Sequence, residues 1–349
     1  MGVAGLPLGR SRGRPPLRDR DDDACVASSE LPEPNALSAR PSDGRASRTR
    51  SDRPALRKNL SSVLILAGPT ASGKTALALA LAERFGAEIV GADSRQIYRG
   101  MPIGTAAPDA AQLAAVRHHL IGFLDPHERY SASAFVDDAL AIVERSSLPI
   151  IVVGGTGFYL RALAGDVALG GARDEALRAR LAREAQLHPP DVLHAWLAAR
   201  DPRRASAIEP ADRYRVVRAL EAALGGERHT ERRNLRTAGI PFVKTYLEIP
   251  QVELEQRIRA RVDRMLEAGL VEEAERVGAD AIAADAVGYP QALAYARGFS
   301  TRGELREQLY RATRRYAKRQ ATWFRTEPEL VRISRYDDVE QLARTLPGW

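Results

Sequence analysis

From Ser62 onward the chain alternates short apolar runs with longer stretches of helical period. Val63-Leu64-Ile65-Leu66-Ala67 has no polar interruption and reads as a buried strand. A Gly-rich loop follows, and apolar residues then recur at helical spacing over 76–85. Glu88-Ile89-Val90-Gly91 reads as a second strand, with Asp93 just beyond it. Residues 149–153 read as another, closed by Gly154-Gly155-Thr156-Gly157. Strands alternating with helices predict a parallel, doubly wound sheet. Such sheets bind ligands at the carboxyl ends of their strands, where Gly68, Asp93 and Gly154 fall.

Between about 170 and 235 the strand signals vanish. Residues 173–185, 190–199 and 212–224 read as helices punctuated by Pro202 and Pro210. The sheet pattern returns over 242–249, and long helices are expected over 254–278 and 303–324. The expected fold is therefore α/β: a P-loop NTPase-like parallel sheet core with an all-helical insertion domain. The expected division is a core begun by 59–169, interrupted by the insertion at 170–235, and completed by 236–335 with basic C-terminal helices. Residues 336–349 are expected to be a C-terminal tail. Residues 1–58, rich in Arg, Asp, Ser, Pro and Gly without an apolar period, read as a disordered tail. A dispensable extension or a misplaced start is the plain account of that tail, with an RNA-steering arm or a presequence as alternatives. The acidic run Asp21-Asp22-Asp23 argues against a presequence.

Charge and composition sharpen this modestly. A net charge of +7 fits a polyanionic partner but does not demand one. The basic residues are almost all Arg, with Lys only at 58, 74, 244 and 318. One cysteine, Cys25, rules out an internal disulfide and a cysteine-built metal site, and a reducing, cytoplasmic setting is expected. No run of 18 apolar residues occurs, so no membrane partner is expected.

Gly68-Pro69-Thr70-Ala71-Ser72-Gly73-Lys74-Thr75 has the spacing of a phosphate loop, between a strand and a helix. Consecutive backbone N–H groups and the helix N-terminus suit a diphosphate. Lys74 adds a positive charge, and the Thr75 hydroxyl suits Mg²⁺ or phosphate. This loop defines a polyphosphate ligand without defining the reaction. Asp93 lies near the loop mouth and is a candidate metal ligand or proton acceptor. Arg95, Gln96 and Tyr98 add a charge, an amide and a ring, a set suited to a base and its backbone. The pair His118-His119 lacks the surroundings of a zinc site and reads as structural. Arg311, Arg314, Arg315, Lys318 and Arg325 line one side of the last long helix, with Arg319 beside them. They read either as a solvated face or as contacts to diphosphate or RNA. Tyr316, Trp323 and Phe324 read as core.

These motifs occur in an order that resembles the tRNA dimethylallyltransferase family. The phosphate loop, segments 93–105, 118–124 and 153–160, and Tyr130-Ser131-Ala132 with Phe135 carry the resemblance. So do Asp201-Pro202, Asp212 with Arg218-Ala219-Leu220-Glu221, segment 261–266 with Gly269-Leu270, and segment 286–289. Thr313-Arg314, segment 316–320 and Thr322-Trp323 complete the set. The resemblance spans roughly 62–335. It implies transfer of a dimethylallyl group from dimethylallyl diphosphate to N6 of adenosine 37, beside the anticodon, in tRNAs reading codons that begin with U. It also implies Mg²⁺ as cofactor and the tRNA anticodon stem-loop as partner. A monomer is expected, although the sequence itself does not give the oligomeric state. Asp93, Lys74 and Thr75 would be catalytic, with Thr75 the metal ligand. Gly68, Thr70, Ala71, Ser72, Gly73, Lys74 and Thr75 would bind the donor. Asp93, Ser94, Arg95, Gln96 and Thr156 would contact tRNA, with Tyr214, Arg215, Val216, Val217 and Arg218 in the insertion. For Tyr214, Val216 and Val217, ordinary helix packing is the competing account.

Three positions depart from the family's commoner pattern. Glu209-Pro210-Ala211-Asp212 stands for His-Pro-Asn-Asp, Pro250-Gln251 for Pro-Arg, and Gln291 for an acidic residue. Gln251 removes a guanidinium that a neighbour such as Arg257 could replace. Competing classes remain a P-loop small-molecule kinase, an adenylate isopentenyltransferase of the cytokinin type, and a non-catalytic RNA-binding module.

Overall fold

Uninterrupted apolar runs need cover on both faces, and β1 (Val63–Ala67) has it: all five residues are buried. The computed structural model describes residues 61–167, 169, 174–225 and 232–349, within one unit spanning Ala55–Trp349. The tail expected over 1–58 lies outside the described residues. The other strands are β2 (Glu88–Gly91), β3 (His118–His119), β4 (Ile150–Gly154), β5 (Phe242–Leu247) and β6 (Leu330–Ile333). They form one sheet of order β3-β2-β4-β1-β5-β6, every pair parallel.

The helices of the first part are α1 (Lys74–Phe85), α2 (Pro102–Thr105), α3 (Ala110–Ala115), α4 (Ala132–Arg145) and α5 (Gly157–Ala164). Next come α6 (Glu175–Leu187), α7 (Pro190–Arg200), α8 (Pro202–Ala205) and α9 (Arg213–Gly225). The second part has α10 (Gln251–Glu267), α11 (Leu270–Val277), α12 (Tyr289–Ala296), α13 (Arg302–Phe324) and α14 (Tyr336–Ala343). Local chemistry sets several boundaries. Ser131 Oγ accepts from Ala134 N at the start of α4. Thr301 and Glu304 cap each other's backbone at the start of α13.

Two apolar layers sandwich the sheet. On one face Ile65, Val90 and Val152 meet Phe135, Leu140 and Leu160. On the other Leu64, Leu66 and Ile151 meet Leu81, Val339 and Ala343. Helices α6 to α9 have their own small core of Leu181, Leu193, Leu197, Val216 and Leu220.

Two expectations need correction. The helix expected over 254–278 is two helices, broken at Gly269, whose φ of 96° no longer continues an α-helix. The tail expected over 336–349 contains α14, and Val339, Ala343 and Leu346 are buried against the sheet. Its apolar residues recur at helical spacing, but over too short a span to stand out.

Lys244, on β5, is 3% exposed and inside an ionic network. Its Nζ lies 2.5 Å from Asp166 Oδ2 and 3.1 Å from Glu327 Oε1. Arg161 pairs with Glu327 and Arg236 with Asp166. Lys244→Ala would remove the buried cation that these two carboxylates share and leave each with one arginine. It is expected to cost up to about 3–5 kcal/mol of folding stability, read from urea unfolding.

Candidate active site

The carboxyl ends of β1, β4 and β2 lie abreast, because Ala67 pairs with Gly154 and Val153 with Gly91. The chains leaving them pass very close. A Cβ on Gly154 would sit 2.1 Å from Ala92 O, so only glycine fits there. Ala92 N donates to Val153 O and Thr156 N to Ala92 O, which seals the loops together. Thr156 Oγ1 accepts from Ser94 N at 2.9 Å. The segment at Asp93 and the Gly154 loop, two separate candidate RNA contacts in the sequence, are thus one structural unit.

The phosphate loop turns between β1 and α1 with Ala71 at φ 64° and Gly73 at φ 93°. Alternating left-handed residues turn successive N–H groups toward one side, as an anion-binding nest requires. Thr70 and Ser72 are buried. The Ser72 hydroxyl has no hydrogen-bond partner among the described residues, so a diphosphate oxygen on the loop would satisfy it. Lys74 Nζ donates to Pro69 O. Burial pushes the Lys74 ammonium down to about 8; Asp93 opposes this shift and Arg261 adds to it.

Lys74, Thr75, Asp93 and Gln96 line one cavity, closed by Ile89, His118, Ile121 and Gly154. Asp93 Oδ1 accepts from Arg95 N at 2.9 Å, which fixes the carboxylate at the turn. Arg95 makes a two-pronged ion pair with Asp285, at 2.6 and 3.1 Å. The paired histidines are held locally: His118 Nδ1 lies 2.7 Å from Val116 O and His119 Nε2 3.0 Å from Glu88 Oε2. Thr75 and Asp93 offer hard oxygen atoms at one cavity. This suits Mg²⁺, which takes few protein ligands when phosphates and water supply the rest.

Residues distant in sequence complete the site. Gln320 of α13 is buried and accepts from Thr70 N at 2.8 Å through Oε1. Its Nε2 donates to Gly155 O at 3.0 Å. One side chain therefore ties the phosphate loop to the β4 loop. Arg257 of α10 donates to Ser72 O at 2.7 Å, so a guanidinium reaches the loop although position 251 is Gln. Arg261, one turn later, donates to Thr105 O, while its Nε is buried without a partner among the described residues. Burial lowers the Arg261 pKa, with Asp93 opposing. Tyr316, expected in the core, is half-buried. Burial first and the Asp93 charge second raise its phenol pKa, so it stays protonated. Arg261 and Gln320 enter the sequence reading only as parts of matched motifs. The available signal was the pair of arginines at 257 and 261, one turn apart beside the buried Ile258 and Val262.

The expected RNA residues of the insertion divide. Tyr214 is 74% exposed. Val216 is fully buried in the core of α6 to α9, which removes its side chain from any contact surface. Val217 packs against the same core. Arg215 pairs with Asp212 and Arg218 with Glu221, both leaving exposed guanidinium surface. On α13, Arg315, Lys318, Arg319, Thr322 and Trp323 line an open groove, with Phe158 exposed beside Trp323. Phe324 is core as expected, while Trp323 is half-buried under Arg161, 4.7 Å from its ring centre.

A family profile described as IPP transferase matches residues 96–327, and one described as isopentenyl transferase matches 61–124. A tRNA dimethylallyltransferase of Anaeromyxobacter sp. (strain Fw109-5) is 46% identical over 293 residues, covering 81% of this chain and 97% of that protein. The chain belongs to the IPP transferase family. The crystal structure of a tRNA isopentenylpyrophosphate transferase from Bacillus halodurans is similar, with TM-score 0.58 and 34% identity over 82% of this chain and 95% of that one. A tRNA delta(2)-isopentenylpyrophosphate transferase from Staphylococcus epidermidis is also similar, with TM-score 0.57 and 27% identity over 82% and 98%.

Against the commoner pattern of IPP transferases, the three departures here sit in self-consistent surroundings. Asp212 still caps α9, accepting from Arg215 N. Gln291 accepts from Gly288 N at the start of α12. Gln251 bonds Glu255 on its own helix. For the Gln320 clamp, Gln320→Ala leaves Thr70 N and Gly155 O without their partner. It is expected to lower kcat/KM for the diphosphate donor about tenfold, since small misplacements of a binding loop are costly. Steady-state rates with the donor varied would measure it.

Proposed function

We propose that the chain transfers a dimethylallyl group from dimethylallyl diphosphate to N6 of adenosine 37 in tRNAs reading codons that begin with U. Prenyl transfer to tRNA is the activity its relatives' names carry, and the chain spans nearly their whole length. The observation that supports the finer reading is the single cavity shared by the phosphate-loop residues Lys74 and Thr75 and by Asp93 and Gln96. Leaving group and acceptor amine would meet there.

The C1–O bond of the donor breaks and its electron pair leaves on diphosphate. A C1–N6 bond forms, and the amine gives up one proton. The loop amides, Lys74 and Arg261 hold the departing diphosphate, where fixed positive charge counts most as the bond breaks. Mg²⁺, held by Thr75 together with the donor's phosphates, would further neutralise that charge. Asp93 hydrogen-bonds the amine and takes its proton. The adenosine leaves the loop stack to reach the cavity, at lower cost than from a duplex. The exposed Tyr214, Arg215 and Arg218 and the α13 groove supply contacts for the anticodon stem-loop. Among the described residues no helix is long and apolar enough to cross a membrane.

The test uses the purified chain, Mg²⁺, labelled dimethylallyl diphosphate and an anticodon stem-loop with A at positions 36 and 37. Label on adenosine 37 is expected. Transfer to free AMP instead would reassign the enzyme to the cytokinin type. Transfer to neither would return the kinase and binding readings.

A further inference from the structure

Glu273 carries a carboxylate with no exposed surface, on α11, away from the phosphate loop. A buried anion is costly unless fully bonded, and this one is. Its Oε2 accepts from Ile103 N at 2.9 Å, and its Oε1 from Gly104 N at 2.7 Å and Tyr289 Oη at 2.7 Å. It therefore caps α2, a helix of only four residues that has little stability alone. Tyr289, also fully buried, packs its ring where a Cβ on Gly104 would be, 2.5 Å away.

What leaves α2 bears on the site. Ala106 follows at φ 46°, a left-handed conformation that alanine adopts only when its surroundings impose it. The carbonyls of Thr105 and Ala106 both accept from Gln96 Nε2, at 3.1 and 3.0 Å. Thr105 O also accepts from Arg261. Two carbonyls on one nitrogen decide which way the Gln96 amide is turned. Both of its N–H groups are used, so its oxygen is the atom left for a ligand in the cavity that Gln96 lines with Asp93 and Lys74. That oxygen suits an amine donor.

We propose that Glu273, aided by Tyr289, is a positioning residue for the transfer. Through α2 it fixes the Thr105 and Ala106 carbonyls, and through them the orientation of the Gln96 amide toward the acceptor base. This rests on the reading of the cavity as a prenyl-transfer site. Glu273→Gln keeps the shape but turns an amide N–H₂ toward the backbone N–H of either Ile103 or Gly104, so α2 loses part of its anchor. Tyr289→Phe keeps the ring on Gly104 and removes the hydroxyl's contacts with Glu273 Oε1 and Met101 O.

A double-mutant cycle with Gln96→Ala tests it, read as kcat/KM for prenyl transfer to the anticodon stem-loop. Glu273→Gln is expected to cost about tenfold in the wild-type background and less than about threefold when Gln96 is already Ala, as for residues acting through one another. Tyr289→Phe should show the same pattern with a smaller loss, and it carries the cycle if Glu273→Gln does not fold. A role in folding alone would lower the melting temperature and give losses that multiply, as Leu305→Val in the same apolar cluster should. Multiplying losses, or no loss from either variant, would overturn the proposal. An inactive wild type would instead overturn the reading of the site.

Discussion

Asp93→Asn is expected to lower the rate of prenyl transfer by about 10²-fold or more, while binding of the anticodon stem-loop changes little. Asparagine keeps an oxygen that can accept from Arg95 N, so the turn survives. It also keeps the volume of the side chain in the cavity shared with Lys74 and Gln96. What it loses is a charge and a place for the proton. An adenine amine is a poor nucleophile because its lone pair is delocalised into the ring. Its proton must go somewhere as the C–N bond forms. Single-turnover transfer and a direct RNA-binding measurement separate the two effects. If the Asn variant kept more than about a third of the rate, Asp93 would be a structural cap and another group would take the proton.

The parts of this site that were legible in the sequence are those built within one short stretch. The phosphate loop needs only an apolar strand, eight residues of defined spacing and a helix, all contiguous over 63–85. Asp93 is legible because it follows a readable strand. The order of the sheet was not legible. β3 is two histidines whose pairing comes from the neighbouring β2, with no apolar run to announce it. Gly269 looked like an interior position of one long helix, since a single glycine in a periodic pattern does not say which sign its φ takes. Val216 sits in a matched motif, but the packing of α6, α7 and α9 decides that it is core. Gln320, Arg257 and Arg261 reach the site across at least 156 residues of chain, where local pattern carries no information. The motifs on α10 and α13 therefore supply the groups that hold the loop's shape and charge, and the N-terminal motifs supply the loop itself.

Lys74→Met is expected to reduce kcat/KM for the donor by about 10²-fold or more, the usual loss when one well-placed charge on a leaving group is removed. A pH signature should accompany it. Burial lowers the Lys74 pKa from 10.5 to about 8 in the free protein, Asp93 partly offsetting the shift. An anion on the loop favours the charged ammonium, so the bound state holds its proton to higher pH than the free one. Above pH 8 binding must then take up a proton. Affinity for inorganic diphosphate, titrated calorimetrically with a chelator present, should be level between pH 7 and 7.5. It should fall toward about tenfold per pH unit well above 8, one proton being linked to binding. Diphosphate has an ionisation of its own in this range that acts on every variant, so the Lys74 slope is read as the difference from the Met variant, which should bind weakly. Lys74→Arg should also lose the slope, because a guanidinium stays charged throughout this range. A level wild-type profile to pH 9.5 would mean that Lys74 is neutral or charged in both states alike. The same slope in wild type and Lys74→Met would assign the titration to diphosphate itself or to another group at the loop.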